Sequence, residues 1–226
     1  MLHMINQKNW VKLHKIELAN SIITKSGAIP DGNPTAIFMA GLPGAGKTEF
    51  SKALLYLLDS KAVRLDMDEI ASQIKGYKPE KADLFRGGAS ELLSKTLDLT
   101  LHKKLDFIMD GTFSSKNAIK NVQRALDHGY KVKIVYIYQD PKLAWDFTEK
   151  REQIEHRAIN KEGFIDAYFN TITNLKNIPN AIALDIIIKD KYNKINKWII
   201  GIDSKEIDKI ITIHYNKNTL RSYLNG

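Results

Sequence analysis

The sequence predicts an α/β fold, with about five mostly parallel strands in one sheet and helices covering both of its faces. Two observations carry this prediction. Short and nearly continuous apolar runs, which are typical of strands buried on both faces, alternate along the chain with segments whose apolar residues recur at helical spacing. The chain also contains no internal repeat and no low-complexity linker, so we interpret residues 1–226 as a single domain.

The predicted strands and helices alternate in a regular order. The strands cover residues 35–40, 62–66, 106–110, 131–138 and 181–189. The helices cover residues 6–26, 48–58, 81–102, 116–127, 141–157 and 164–176. The residues expected on the buried faces of the first two helices are Trp10, Leu13, Ile16 and Ile23, followed by Phe50, Leu54 and Leu57. We therefore expect an N-terminal helical extension over 1–34, a core over 35–190, and a C-terminal segment over 191–226 with one or two short helices.

The composition excludes several classes of protein. The chain has no cysteine, which rules out disulfides and thiolate metal sites. The first 18 residues lack the apolar core of a signal peptide. No apolar run approaches the roughly 20 residues that a membrane span needs. We therefore expect a soluble cytoplasmic protein without a membrane partner.

The chain is basic, with a formal net charge of +8. This excess can reflect lysines spread over a solvated surface, or it can attract anionic ligands such as phosphates. No block of five or more lysines and arginines stands out, so a nucleic acid is not the expected partner.

A phosphate-binding loop is the most specific motif in the chain. The segment GLPGAGKT at 41–48 matches G-x-x-x-x-G-K-[ST] and lies between a predicted strand and a predicted helix, which is the context that the motif requires. Its glycines let the backbone approach a phosphate, and its N–H groups converge on the phosphate oxygens together with the positive end of the helix. Lys47 is expected to reach the terminal phosphates, and the Thr48 hydroxyl is expected to ligate magnesium. A glycine-rich turn before a basic helix is the alternative.

The P-loop predicts that the chain binds a nucleoside triphosphate with Mg²⁺. The residues expected to bind the nucleotide are Gly41, Leu42, Pro43, Gly44, Ala45, Gly46, Lys47, Thr48 and Glu49. Transfer of the terminal phosphoryl group to a small molecule is the function we predict for such a site.

Three carboxylates follow predicted strands on the side of the P-loop. Asp66 and Asp68 follow the second strand in RLDMDE, and Asp110 ends the third strand in IMDGT. Because ligands sit beyond the carboxyl ends of strands in an open parallel sheet, these side chains are candidates for magnesium coordination and for deprotonation of an acceptor hydroxyl. Alternatively, Asp66 or Asp68 caps the next helix and Asp110 begins a turn. If the strand runs to Asp66, alternation directs Asp66 and Asp68 to the same side, with Asp66 nearer magnesium and Asp68 nearer the acceptor.

The helix predicted after the fourth strand is basic. It carries Arg151 and Arg157, which can stabilise the charge of a phosphoryl group during its transfer. The two arginines are six residues apart, so both reach one ligand only if the helix ends or bends near His156. Alternatively, Arg151 pairs with Glu155 on the surface, one helical turn away.

Four motifs, taken in order, resemble the zeta-toxin family of P-loop kinases. They are GLPGAGKT, RLDMDE, FIMDGT and RE-x-x-x-x-RAI, and the resemblance covers about residues 35–175. It implies a P-loop kinase fold and the use of ATP or GTP with Mg²⁺. Characterised members phosphorylate a sugar hydroxyl of UDP-N-acetylglucosamine, and some are toxins held by a partner antitoxin. The resemblance therefore implies two partners, a small-molecule hydroxyl acceptor and an antitoxin protein.

The resemblance also implies a role for each matching residue. The residues with implied roles in catalysis are Asp68, Lys47, Arg151 and Arg157. From their positions at the strand ends and from the resemblance together, we assign Asp66, Asp110 and Thr112 to the substrate, and Thr48 and Asp66 to magnesium. Within this set, Asp68 matches the catalytic base, Thr112 matches a threonine that contacts the substrate, and the two arginines match a clamp on the phosphate.

Two positions depart from the family pattern. The family often has Glu-Gly-Thr where this chain has Asp110, Gly111 and Thr112. The best-known toxins place an arginine where Ser114 stands. These departures predict an acceptor pocket that differs from that of the best-known toxins, with the same phosphoryl-transfer residues. Two other interpretations stay open: a P-loop phosphotransferase that acts on an antibiotic or a nucleic-acid end, and a nucleotide-binding regulator without catalysis.

Overall fold

The computed structural model of the chain describes residues 7–57, 61–155 and 160–225. These residues form six strands: β1 (Thr35–Ala40), β2 (Val63–Asp66), β3 (Phe107–Asp110), β4 (Lys131–Tyr138), β5 (Leu184–Lys189) and β6 (Ile195–Ile202). They also form nine α-helices: α1 (Gln7–Ser26), α2 (Lys47–Leu57), α3 (Met67–Ser72), α4 (Ala82–His102), α5 (Ala118–Asp127), α6 (Pro141–Glu155), α7 (Lys161–Lys176), α8 (Ile207–Ile210) and α9 (Lys217–Tyr223). Short 3₁₀ turns at Pro79–Lys81 and Ser204–Glu206 precede α4 and α8.

The sheet has the strand order β2-β3-β1-β4-β5-β6. Every neighbouring pair is parallel except β5 and β6, which are antiparallel. The predicted α/β fold with a mostly parallel sheet is therefore confirmed. Because β3 lies between β2 and β1, the strands that carry the acidic residues end beside the strand that leads into the P-loop.

Helices cover both faces of the sheet. On one face, strand residues such as Phe38 and Phe107 pack with buried residues of α1, α4 and α5. On the other face, Met39 and Ile137 pack with buried residues of α6 and α7. Alternation along parallel strands sends neighbouring residues to opposite faces, so nearly every strand position is apolar. No helix in the described ranges is long and apolar enough to cross a membrane.

The C-terminal segment differs from the prediction. Residues Ile195–Ile202 form an antiparallel edge strand where only short helices were expected, so the sheet has six strands rather than five. The hairpin before it turns at Asn193, which has a positive φ of 62°, and the Asp190 carboxylate accepts the N–H groups of Tyr192 and Lys194. The strand is rich in isoleucine, which suits a pleated strand, but its side chains are mostly exposed and give no alternating pattern.

The first predicted helix is confirmed, but only half of its expected apolar face is buried. Ile23 is buried and Trp10 packs against the core, whereas Leu13 and Ile16 are 82% and 57% exposed. The helix instead meets α4 through the fully buried Val11, because a Cβ added to Gly88 would lie 3.0 Å from Val11 Cγ2. Leu57 of α2, also predicted to be buried, is 77% exposed. The division of the chain into extension, core and C-terminal segment stays a prediction.

Candidate active site

The P-loop lies where the motif predicts, between the end of β1 and the start of α2. Gly41, Gly44 and Gly46 all have positive φ, at 141°, 76° and 85°. A Cβ would lie 2.5 Å from the Ile137 carbonyl oxygen at Gly41, and 2.1 Å from the Ala144 carbonyl oxygen at Gly44. Larger residues would therefore displace the loop from β4 and α6, and the glycines are required by the fold as well as by the phosphate.

Lys47 begins α2 and is buried at the centre of the site. Its ammonium group donates to the Leu42 carbonyl oxygen of the loop at 2.6 Å. Burial lowers the pKa of Lys47 from its ordinary 10.5 to about 8, an effect that the Asp110 carboxylate opposes and the Arg151 charge reinforces. At neutral pH the ammonium form therefore predominates, and it adds a cation to the N–H groups of the loop.

Nucleotide binding is expected to weaken as the pH rises through about 8, the pKa of Lys47. The protonated form attracts the triphosphate, so the Kd should rise by up to tenfold for each pH unit above the pKa. Calorimetric titration of a non-hydrolysable ATP analogue between about pH 7 and about pH 10 measures this dependence. The Lys47→Arg variant stays protonated over this range and should lose the dependence. A constant Kd for the wild-type protein would contradict this prediction.

A buried arginine joins two of the predicted carboxylates. Asp66 and Asp110 lie opposite each other in the register of β2 and β3. The NH2 group of Arg64 donates to Asp66 Oδ2 at 2.8 Å and to Asp110 Oδ2 at 2.5 Å. The Ser51 hydroxyl of α2 donates to the same Asp110 oxygen at 2.7 Å. Sequence reasoning missed Arg64 and Ser51; the available signal was an arginine inside an otherwise apolar strand, which requires buried acidic partners.

Asp66 caps the next helix. Its Oδ1 accepts the N–H groups of Asp68 at 2.8 Å and Glu69 at 3.0 Å, so the capping alternative is confirmed. Burial raises the pKa of Asp66, and the Glu69 N–H and the Arg64 charge act in the opposite direction. The expected strand alternation between Asp66 and Asp68 is wrong, because β2 ends at Asp66 and α3 begins at Met67. Asp68 is instead a half-buried residue in the first turn of α3.

The residues predicted to bind substrate or to act in catalysis, as far as the structure describes them, line one cavity of about 420 Å³. The predicted residues that line it are Pro43, Lys47, Thr48, Asp66, Asp68, Asp110, Thr112 and Arg151. Arg151 is an exposed residue of α6 that also lines the cavity. Arg157 and the expected helix end near His156 lie outside the described residues.

The loop after β3 is fastened by α7. Phe113 has a φ of 63°, which is strained for a bulky side chain, and it is nevertheless buried. The Thr171 hydroxyl donates to the Thr112 carbonyl oxygen at 2.8 Å, and the Asn174 side chain donates to the Phe113 carbonyl oxygen at 2.8 Å. The hydroxyl groups of Thr112 and Ser114 lie 2.6 Å apart. No sequence pattern pointed to the two α7 residues, because the partner of a polar residue on a helix cannot be predicted from one sequence.

A second lysine approaches the P-loop from the end of β5. A Cβ on Gly46 would collide with Lys189 Nζ, so this ammonium group lies directly against the loop. Lys189 Nζ donates to Asn193 Oδ1 at 2.7 Å. Burial lowers the pKa of Lys189, and the charge of Glu49 opposes this effect. Sequence reasoning missed Lys189, which became a neighbour of the loop only through the parallel pairing of the strands.

The donor atoms of the cavity suit magnesium bound together with a triphosphate. The described residues contain no group of three or more histidine, cysteine or acidic side chains that could hold a metal alone. Mg²⁺ is usually held by one or two protein oxygens together with substrate phosphates and water. The Thr48 hydroxyl and the carboxylates beside it in the cavity offer such oxygens.

The family to which the chain belongs follows from the segment that a family model matches. The model of the family described as Zeta toxin matches residues 20–202, which include β1 to β6 and the whole described site. The chain belongs to the zeta toxin family. This membership supports a P-loop phosphotransferase of the kinase and toxin type. Curated protein sequences include no significant match to the chain.

Solved structures show the same fold at low sequence identity. The PezAT chromosomal toxin–antitoxin system of Streptococcus pneumoniae superposes with a TM-score of 0.64 and 18% identity, over 94% of this chain and 85% of that one. The AvrRxo1-ORF1:-ORF2 complex with ATP gives a TM-score of 0.57 and 14% identity, over 91% and 72%. A candidate kinase from Chloroflexus aurantiacus gives 0.54 and 16% identity, over 81% and 100%. At these identities the similarity shows the P-loop kinase fold alone.

Proposed function

We propose that the chain is a small-molecule kinase that transfers the γ-phosphoryl group of ATP or GTP to an alcohol hydroxyl. One observation carries this proposal. Lys47 of the P-loop, Arg151 of α6 and Asp68, a carboxylate in the first turn of α3, all line one cavity. This arrangement combines a phosphate cradle, a charge clamp and a base, which are the parts that phosphoryl transfer requires.

The proposed reaction forms one bond and breaks one bond. The acceptor oxygen attacks the γ-phosphorus, and the bond between this phosphorus and the oxygen that bridges to the β-phosphate breaks. The acceptor proton passes to Asp68, and the nucleoside diphosphate leaves. Because an alcohol becomes acidic only as its bond to phosphorus forms, Asp68 helps late in the step, by general-base catalysis.

The other residues hold charge and position. Lys47 and Arg151 neutralise the charge that spreads over the phosphoryl oxygens, and Thr48 and a cavity carboxylate are proposed to hold magnesium. When bound, Mg²⁺ supplies additional charge neutralisation at the phosphates. Asp66 contributes mainly by capping α3 and so fixing the position of Asp68, while Thr112 is proposed to contact the acceptor.

The family resemblance supplies a first acceptor and a partner to test. UDP-N-acetylglucosamine is the reference acceptor, because characterised zeta toxins phosphorylate it. An antitoxin is the proposed protein partner, since PezAT is a toxin–antitoxin system. The proposal also places the chain in the cytoplasm, where ATP and GTP are available.

Transfer of label from γ-labelled ATP to a metabolite extract tests the proposal. We expect a labelled small molecule with the wild-type protein, and a single-turnover rate lower by about 100-fold with Arg151→Ala, the scale of losing transition-state charge stabilisation. The Arg86→Ala variant is the control, because Arg86 is an exposed arginine that pairs with Asp83 away from the cavity.

Three other outcomes would contradict the proposed kinase function or the role of Arg151 in it. ATP binding without labelled product would favour a non-catalytic regulator. Label on nucleic-acid ends would favour the nucleic-acid alternative. A loss of melting temperature in Arg151→Ala, with an unchanged rate, would assign Arg151 to the surface rather than to the phosphate.

A further inference from the structure

The charges around the cavity are unevenly distributed. Among the described residues that line it, the only cations are Lys47 and Arg151, the two residues that the proposed function assigns to the transferred phosphate. Three carboxylates, those of Asp66, Asp68 and Asp110, line the same cavity. Arg64 donates hydrogen bonds to two of these carboxylates, Asp66 and Asp110, and so compensates their charge, but Arg64 does not line the cavity. Under the proposed function both lining cations act on the transferred phosphate, so none of the described lining cations is left for a second anionic ligand.

The rest of the wall is neutral. Ser90 and Ser94 lie one turn apart on α4 and line the cavity, as does Asn117 before α5. Between these polar residues lie apolar ones, including Leu93 and Met109. Such a wall offers hydrogen bonds through hydroxyl and amide groups together with an apolar surface, but no charge to pair with an anion.

The loop after β3 also contributes uncharged side chains to the cavity. Ser114 lines the cavity, and its hydroxyl lies 2.6 Å from that of Thr112, so the two form a neutral hydroxyl pair. A diphosphate placed against this pair would lose its hydration without gaining a cation from the described residues that line the cavity. An uncharged hydroxyl compound would meet partners for its hydrogen bonds and needs no such cation.

We propose that the acceptor is an uncharged small molecule, with at least two hydroxyl or amide groups and an apolar face, and not a nucleotide sugar. This inference rests on the proposed kinase function. A cavity of about 420 Å³ lies within the usual size of small-ligand pockets. One hydroxyl of the acceptor lies toward Asp68, and the remainder contacts the neutral wall of α4 and α5.

Separation of a metabolite extract by charge tests the proposal. Anion and cation exchange at neutral pH divide the extract into anionic, cationic and neutral fractions, and each receives the wild-type protein with γ-labelled ATP. We expect at least about tenfold more labelled product from the neutral fraction than from either of the others, or from purified UDP-N-acetylglucosamine. Greater transfer in the anionic or cationic fraction, or to UDP-N-acetylglucosamine, overturns the inference and leaves the kinase function intact. Transfer in none of the fractions overturns both.

A change of charge in the pocket provides a second, independent test. The Ser114→Arg variant places a cation beside Thr112 and should raise the ratio of anionic to neutral product by about tenfold or more. The Gln123→Arg variant adds the same charge on the exposed side of α5, away from the cavity, and should leave the ratio unchanged. Thermal unfolding checks that both variants fold. An unchanged ratio in a folded Ser114→Arg protein, or an equal rise in Gln123→Arg, contradicts the assignment.

Discussion

Lys47→Ala is expected to abolish phosphoryl transfer, with kcat/KM lower by about 1000-fold or more, while the protein remains folded. The ammonium group is buried beside Asp110 and the P-loop, so no solvent cation can replace it at the same position. The lowered pKa of Lys47 shows that burial disfavours its charge in the absence of a phosphate partner. Removing that charge should therefore leave the melting temperature similar, because the function uses the ammonium group and the fold does not require it.

A lysine on the same helix serves as the control. Lys52 is exposed and pairs with Glu69, so Lys52→Ala should keep the wild-type rate and affinity. Calorimetry with a non-hydrolysable ATP analogue, single-turnover transfer and thermal unfolding measure the three quantities for both variants. Near wild-type turnover in Lys47→Ala would show that GLPGAGKT is a structural turn and not a nucleotide site.

The strands next to the P-loop could be predicted because they are buried on both faces. A parallel strand that is buried on both faces is apolar at nearly every position, so its bounds are visible in the sequence, and β1 covers the predicted residues 35–40. The P-loop could be predicted because backbone geometry restricts its residue types, as the positive φ angles of its glycines show. In both cases the restriction on residue types acts within one short segment, so it is visible in a single sequence.

The parts that were missed depend on contacts between distant segments. The edge strand β6 has no buried face, so its composition did not separate it from a short helix. Leu13 and Ile16 of α1 were wrongly expected to be buried, because α1 meets α4 through Val11, which lies against Gly88. Arg64, Thr171 and Lys189 became part of the site only when the sheet order brought their strands and helices together.

The two aspartates of RLDMDE, Asp66 and Asp68, show how the end of one strand changes the roles of its neighbours. Alternation along a strand would have placed both side chains on the same side, at different depths. The cap at Asp66 ends the strand and starts α3, so the carboxylates have different backbone geometry and different partners. Asp66 is held by two N–H groups and by Arg64, which gives it a structural task that Asp68 does not share.

Asp68→Asn is expected to lower kcat by about 100-fold or more while the affinity for ATP stays within a few-fold, the scale of losing a general base. Asparagine keeps the shape and a hydrogen bond but cannot accept the acceptor proton. Asp66→Asn should instead act on stability. Asparagine still caps a helix well, but it loses the charge that pairs with the buried Arg64, so we expect unfolding to become easier by about 1–3 kcal/mol.

The pair of variants makes the assignment testable, because each serves as the control for the other. Denaturant unfolding gives the change in stability, calorimetry gives the affinity for an ATP analogue, and single-turnover transfer gives the chemical step. In the expected result, Asp68→Asn has wild-type stability and a slow chemical step, whereas Asp66→Asn is less stable and loses less of its rate. A fully active Asp68→Asn beside an inactive, stable Asp66→Asn would reverse the roles, because the acceptor proton would then have to pass to Asp66 in spite of its cap and its bond to Arg64.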